Sequence, residues 1–336
     1  MAANLRAGLI GLGMMGRNHA RVLRELDGVD LVAVADAFGD PHGVAGSLPV
    51  LGSVEELIAA GIDMAVVAVP TGLHEEVGLA LAEAGVHVMV EKPIASSVPA
   101  GERLVEAFDS RGLVGAVGHI ERFNPALQSL RARIESGELG QVYQIATRRQ
   151  GPFPARIADV GVVKDLGTHD IDLTAWLAQS PFVSVSARTT TQSGRQYEDM
   201  VAAVGTLENG IMTSHLVNWL SPMKERVTVV TGERGAFVAD TLTADLTSYE
   251  NGSVKTEWDA VSNFRGVSEG NVTRLAIAKR EPLRVEHEAF RDAIRGTTHG
   301  SVQDIVTMRE GLNTLRVAEA MIASAASGQT EELTLS

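Results

Sequence analysis

Cysteine is absent from all 336 residues, so disulfide bridges, thiolate metal centres and cysteine nucleophiles are excluded. No apolar run reaches the roughly 18 residues that a membrane-spanning helix needs. The opening Met-Ala-Ala-Asn-Leu-Arg runs straight into a strand-like segment and has neither the apolar core nor the cleavage site of a secretory leader. A cytoplasmic protein is expected. Positive charge is also short, with 29 Lys and Arg against 42 Asp and Glu, a net charge of −13. Nucleic acid, whose binding needs a basic surface to release counterions, is therefore not an expected partner, and neither is a membrane. There is no internal repeat and no low-complexity linker. The length suits two domains better than one core.

Short Val-rich runs come first: Leu5–Ile10, Leu31–Ala35, Met64–Val69, Val86–Val90 and Leu113–Val117. Helix-like apolar spacing separates them at Met14–Leu26, Val54–Ala60, His74–Ala84 and Ala100–Asp109. Strands covered by helices on both faces read as continuous apolar runs, so residues 1–120 predict a doubly wound parallel α/β sheet. Beyond residue 120 the rhythm changes. Helical patterns at Pro125–Ser136 and Thr168–Gln179 precede strand-like runs at Val183–Thr190, Met200–Glu208, Ile211–Trp219, Arg226–Thr231 and Ala236–Val238. Asn209-Gly210 marks a hairpin turn, because it tolerates positive φ. Residues 121–336 thus predict an α+β domain with a largely antiparallel open sheet, closed by helices near Val285–Arg295 and Ile305–Ala325. A sheet with helices on one face leaves the other to water or to a second subunit. Trp219 and its apolar neighbours are expected on that face, in a homodimer or homotetramer.

Gly11-Leu12-Gly13-Met14-Met15-Gly16 follows the first strand and opens a helix. The first glycine allows the tight turn, the second lets a pyrophosphate approach the backbone, and the third lets helix and strand pack closely. A diphosphate would then sit on free N–H groups at the helix start. Asp36 ends the second strand about 20 residues past Gly16, where a carboxylate accepts hydrogen bonds from the adenosine ribose. It would repel a 2′-phosphate, and no Arg or Lys follows within Ala37-Phe38-Gly39-Asp40, so NAD is expected over NADP. Two later strands end in Val69-Pro70-Thr71-Gly72-Leu73-His74 and in Glu91-Lys92-Pro93. Ligands bind beyond the carboxyl ends of such strands, which directs Val69, Pro70, Thr71, His74, Glu91 and Lys92 toward the cofactor.

Glu91-Lys92-Pro93, the glycine turn and Asp165-Leu166-Gly167-Thr168-His169-Asp170-Ile171-Asp172 together resemble the glucose–fructose oxidoreductase / inositol dehydrogenase / MocA family. The resemblance spans nearly the whole chain. It implies a hydride-transferring enzyme in which a lysine and a histidine flank the substrate hydroxyl, and a second domain whose open sheet serves oligomerisation. Proton removal from the hydroxyl requires a base within reach. Asp165 and His169 are four apart at a helix start and share one face, so Asp165 can orient the imidazole or stabilise its charged form. Lys92 can steady negative charge on the reacting oxygen. No metal is needed.

Gly118-His119-Ile120-Glu121-Arg122-Phe123-Asn124-Pro125 and Gly151-Pro152-Phe153-Pro154-Ala155-Arg156 resemble the branch that oxidises C3 of UDP-N-acetylglucosamine, which implies substrate contacts from His119, Arg122, Asn124 and Arg156. Arg148, Arg149, Arg156 and Lys164 form a local basic cluster suited to a sugar diphosphate, although Arg148 and Arg149 equally suit a charged strand edge. Three readings stay open: a sugar, inositol or nucleotide-sugar dehydrogenase; a glycosidase that uses bound NAD transiently; and a cofactor sensor without catalysis.

Overall fold

The structure is a computed structural model and describes residues 3–154, 160–252, 269–297 and 304–334. They form two packing units, Met1–Phe123 with Glu281–Arg316 and Asn124–Arg280 with Val317–Ser336. Residues 281–316, assigned by the sequence reading to the second domain, pack with the first: Phe290, Leu312 and Leu315 are buried among its sheet residues. Among the described residues no helix is long and apolar enough to cross a membrane.

The first unit carries six parallel strands: β1 (Leu5–Ile10), β2 (Val29–Ala35), β3 (Val50–Leu51), β4 (Met64–Val67), β5 (His87–Glu91) and β6 (Gly115–Gly118). Their order is β3-β2-β1-β4-β5-β6, a doubly wound sheet that reverses direction between β1 and β4. Helices α1 (Met14–Glu25), α2 (Val54–Ala59), α3 (His74–Glu83) and α4 (Val98–Asp109) connect the strands. The pleat explains the apolar runs. Ala65 and Val67 join Leu81, Leu104 and Phe108 on one face, while Met64 and Val66 join Leu23 and Phe290 on the other. Side chains that alternate in direction all enter a core.

In the second unit, α5 (Pro125–Glu135) and α6 (Thr168–Ala178) pack on a nine-stranded sheet. Its strands are β7 (Val142–Pro152), β8 (Phe182–Thr190), β9 (Met200–Leu207), β10 (Met212–Asn218), β11 (Leu220–Gly232), β12 (Gly235–Asp240), β13 (Asp245–Asn251), β14 (Glu269–Leu275) and β15 (Glu331–Glu332). The order is β14-β13-β12-β11-β7-β10-β9-β8-β15. Among the described pairings only β7 with β10 is parallel. The expected Asn209-Gly210 turn joins β9 to β10, with Gly210 at φ 84. Two further helices, α7 (Pro282–Ile294) and α8 (Met308–Ser327), follow β14. The first belongs to the first unit, and the second is divided between the units at Arg316/Val317.

Two expectations fail here. β7 lies between β11 and β10, so Arg148 and Arg149 stand on an interior strand and guard no edge. Trp219 is not on the open face. It is 4 % exposed and packs edge-on against Phe153 at 5.2 Å, with the Arg195 guanidinium over the same two rings. The outward side chains are instead those alternating with the core residues, such as Val204 and Met212, both more than half exposed.

Candidate active site

At the glycine turn each glycine has its own reason. Gly11 has φ +94, and a Cβ there would lie 2.5 Å from the Ala68 carbonyl. At Gly16 it would lie 1.9 Å from the Gly11 oxygen, so helix and turn could not close. A Cβ on Gly13 would touch nothing within 4 Å, and this open space is where a phosphate can meet backbone. Ser53 and Ser97 cap α2 and α4, but α1 has no side-chain cap and no acid in its first turn. Its N–H groups and positive dipole end are left to an anion. Met14 is largely exposed and Met15 half-buried at this rim.

Asp36 follows β2 and ties the rim together. Its Oδ2 accepts the Leu12 N–H and its Oδ1 the Phe38 N–H, each at 2.8 Å. A carboxylate has lone pairs to spare beyond these two, so ribose hydroxyls can still be accepted. The residues therefore fit a dinucleotide: an open glycine, an uncapped helix start and a fixed carboxylate.

Val69, Pro70 and Thr71 follow β4 and are half-buried or exposed. His74, expected at the cofactor, is buried with both ring nitrogens facing backbone carbonyls. It is 1 % exposed, with Nδ1 2.9 Å from the Pro93 carbonyl and Nε2 3.0 Å from the Val69 carbonyl. Burial pushes its pKa down, against the upward pull of those carbonyls and of Glu91. Glu91 Oε1 lies 2.8 Å from His19 Nε2. Lys92, which follows β5 directly, is half-buried and joined to Pro93 by a cis peptide. His119 is buried at the end of β6, and Arg122 is buried with Nη1 2.7 Å from Glu310 Oε1.

In the second unit Asn124 caps α5. Its Oδ1 accepts the Ala126 N–H and its Nδ2 donates to the Thr241 carbonyl, both at 3.0 Å, which engages both ends of the amide in the fold. Arg156 lies outside the described residues. Asp165 sits in a π-helical turn, Val163–Gly167, that runs directly into α6, whose second residue is His169. Both are buried, at 5 % and 9 % exposure. The turn is pinned at its entry, where the N–H groups of Val162 and Val163 donate to the Glu198 carbonyl and carboxylate. Such wide turns recur where a helix must present functional side chains.

Beside His169, Asp170 accepts Arg149 Nε at 2.7 Å in a pair whose side chains are each 3 % exposed. Two residues before Arg149 on β7, Thr147 pairs across the sheet with His215, which is buried with Nδ1 2.8 Å from Thr147 Oγ1. Burial takes its pKa down to about 4, with the negative charge of Asp170 opposing the shift. Arg148 pairs with Glu225 at 2.9 Å and Lys164 with Glu319 at 3.0 Å. The basic cluster is thus not a free anion site: its three described members already hold carboxylates.

Residues 5–119 match an oxidoreductase family with an NAD-binding Rossmann fold, and residues 127–238 match the GFO/IDH/MocA C-terminal domain. The chain belongs to the GFO/IDH/MocA oxidoreductase family. Within the family it is 32 % identical over 296 residues to a UDP-N-acetylglucosamine 3-dehydrogenase of Acidithiobacillus ferrooxidans, covering 87 % of this chain and 89 % of that one. A solved structure of that dehydrogenase superposes with a TM-score of 0.82 at 26 % identity, covering 98 % of this chain and 100 % of the other. A myo-inositol dehydrogenase of Streptomyces leeuwenhoekii is 30 % identical over 317 residues, 88 % of this chain and 98 % of that protein.

Sequence reasoning missed the buried polar groups that support these family motifs: His19 and His287, the Arg149–Asp170 pair, and His215. For His19 a signal was present, since it lies four residues before Leu23 on the buried face of α1. A histidine in a core stripe needs a polar partner nearby.

Proposed function

We propose that this oxidoreductase is an NAD-dependent dehydrogenase acting on a secondary hydroxyl of a sugar, with C3 of a UDP-N-acetylhexosamine as its preferred site. The observation that carries the reading is the 32 % identity to a UDP-N-acetylglucosamine 3-dehydrogenase along almost the full length of both chains. When bound, the nicotinamide supplies the hydride acceptor and returns the hydride in the reverse direction. The chain supplies charge and proton handling. Lys92 stabilises negative charge on the reacting oxygen, and His169, on α6 just after the turn that carries Asp165, takes or returns the hydroxyl proton. Asp36 selects NAD over NADP. The apolar outward residues of the large sheet, Val204 and Met212 among them, suit a homodimer or homotetramer.

Inositol oxidation is the second reading, favoured by the 30 % identity to a myo-inositol dehydrogenase over 88 % of the chain. NADH formation followed by absorbance separates the two. UDP-N-acetylglucosamine should be oxidised with a higher kcat/KM than free N-acetylglucosamine or myo-inositol. Faster turnover of myo-inositol or a free sugar would overturn the nucleotide-sugar assignment. Release of a free aglycone without net NADH would point to a glycosidase.

A further inference from the structure

Four elements of the first unit converge on the short segment that carries Lys92. Glu91, at the end of β5, accepts the Lys92 N–H on Oε2 at 3.2 Å. Its Oε1 lies 2.8 Å from Nε2 of His19 on α1. His19 Nδ1 lies 2.9 Å from Nε2 of His287 on α7, and the two rings meet edge to face. On the far side of Lys92, His74 at the start of α3 faces the Pro93 carbonyl. His19 and His287 have no exposed surface.

An ionised carboxylate only accepts hydrogen bonds, so His19 must carry a proton on Nε2. Its Nδ1 then either accepts the His287 Nε2–H or, in the imidazolium form, donates to His287. Both arrangements keep the donation to Glu91. Burial alone would raise the Glu91 carboxyl, but the hydrogen bond and charge of His19, the charge of Lys92 and the Lys92 N–H together take it below the usual carboxylate range. Burial, with the His19 charge behind it, holds His287 well below the usual histidine range, so its ring is neutral. Desolvating two imidazoles and a carboxylate is unfavourable, and apolar side chains of similar volume would fill the same space without that cost. Cohesion by itself is a poor account of the cluster.

We propose that His19, Glu91 and His287 are positioning residues for Lys92: the histidine pair fixes the Glu91 carboxylate, which fixes the Lys92 amide and hence the direction of its side chain. The proposal rests on the reading of Lys92 as the group that meets the reacting oxygen. His287 acts at one remove, by holding the His19 ring against Glu91.

The test compares His19→Gln, His19→Leu and His287→Leu in the full-length protein with NAD bound. Glutamine keeps a donor near the Nε2 position, and leucine keeps only bulk. Deuterium exchange at the Lys92 amide, NAD affinity and kcat are measured together. His19→Leu should speed exchange of the Lys92 amide and lower kcat, each by at least about tenfold, with NAD affinity changed less than about threefold. His19→Gln should bring both back to within about threefold of the parent protein. His287→Leu should fall between them. If His19→Leu does not fold, Glu91→Gln, which keeps the bulk and weakens the acceptor, should still speed Lys92 exchange. Unchanged Lys92 exchange in the folded leucine variants, or in Glu91→Gln, overturns the proposal. So does a kcat loss that His19→Gln does not rescue. The exchange readout needs no substrate, so normal exchange effects in a protein that oxidises no sugar would refute the dehydrogenase reading and leave the positioning frame standing.

Discussion

Replacing Arg149 by methionine removes one partner of a buried ion pair and leaves the other in place. Asp170 is 3 % exposed at its side chain, and its Oδ1 is 2.7 Å from Arg149 Nε. Removing one member of such a pair typically costs about 3–5 kcal/mol, most of it the uncompensated charge. For a unit of this size, roughly 2–4 °C of unfolding temperature is lost per kcal/mol, so calorimetry should show the second unit melting on the order of 10 °C earlier. The double variant Arg149→Met/Asp170→Leu removes both charges and should recover more than half of that loss. The neighbouring histidine gives an independent reading. His215 sits at about 4 because burial outweighs the charge of Asp170. Without Arg149 the cation paired with that charge is gone, so the His215 pKa measured by NMR should rise. A single variant costing less than about 1 kcal/mol, or a double variant worse than the single, would refute the reasoning that the pair is buried and coupled.

Four further outcomes follow from the same structure. NAD should bind at least about tenfold more tightly than NADP, a difference of roughly 1.4 kcal/mol; titration showing equal affinities in the unmodified protein would remove Asp36 as the selector. Lys92→Ala and His169→Ala should each keep NAD binding while losing about 10²–10⁴-fold in kcat, and near-normal turnover in both would favour a sensor. Acid should weaken the second unit through His215. Its folded pKa of about 4 lies below the ordinary 6.5, so the unfolded chain takes up the proton first, and stability is lost as pH falls from 6.5 toward 4. The loss amounts to about 3 kcal/mol, and urea unfolding of His215→Gln should lack that share of the pH dependence. Met212→Glu places a charge on the outward sheet face and should shift any oligomer toward monomer in sedimentation; a monomeric parent protein would contradict the assembly reading.

The parallel half of the fold was readable because both faces of its sheet are covered, which turns Met64–Val67 and the strands beside it into unbroken apolar runs. The second sheet was only partly readable. β7 carries Gln144, Arg148, Arg149 and Gln150 between its apolar residues, and β13 reads Asp-Leu-Thr-Ser-Tyr-Glu-Asn, so neither has the contrast that marks a strand. Their polarity has different sources. Arg149 is matched by Asp170 on α6, whereas the polar residues of β13 are half-buried or exposed. The parallel pairing of β7 with β10 joins segments about 70 residues apart, and no local pattern reports such a register. Trp219 was misplaced because a large apolar side chain at a strand end suits an open face as well as a core. Its contacts with Phe153 and Arg195 decided the matter. At the site, the glycine turn and Asp36 were visible because their spacing is set by one βαβ unit. The contact between His19 and His287 spans 268 positions and leaves no trace in either neighbourhood.

The return of residues 281–316 to the first unit bears on how the chain is made. A ribosome that has released the first six strands has not yet supplied Phe290, Leu312 and Leu315, which fill the two sides of that sheet, nor the Val306 carbonyl that accepts the Val117 N–H on β6. Until residue 316 has emerged, the nascent dinucleotide-binding layer exposes apolar surface, while eight of the nine strands of the second sheet are being synthesised. An excised fragment ending near residue 120 inherits the same deficit permanently. It should aggregate or stay loosely packed where the full chain does not, and adding 281–316 in trans or by circular permutation is the repair that the architecture dictates.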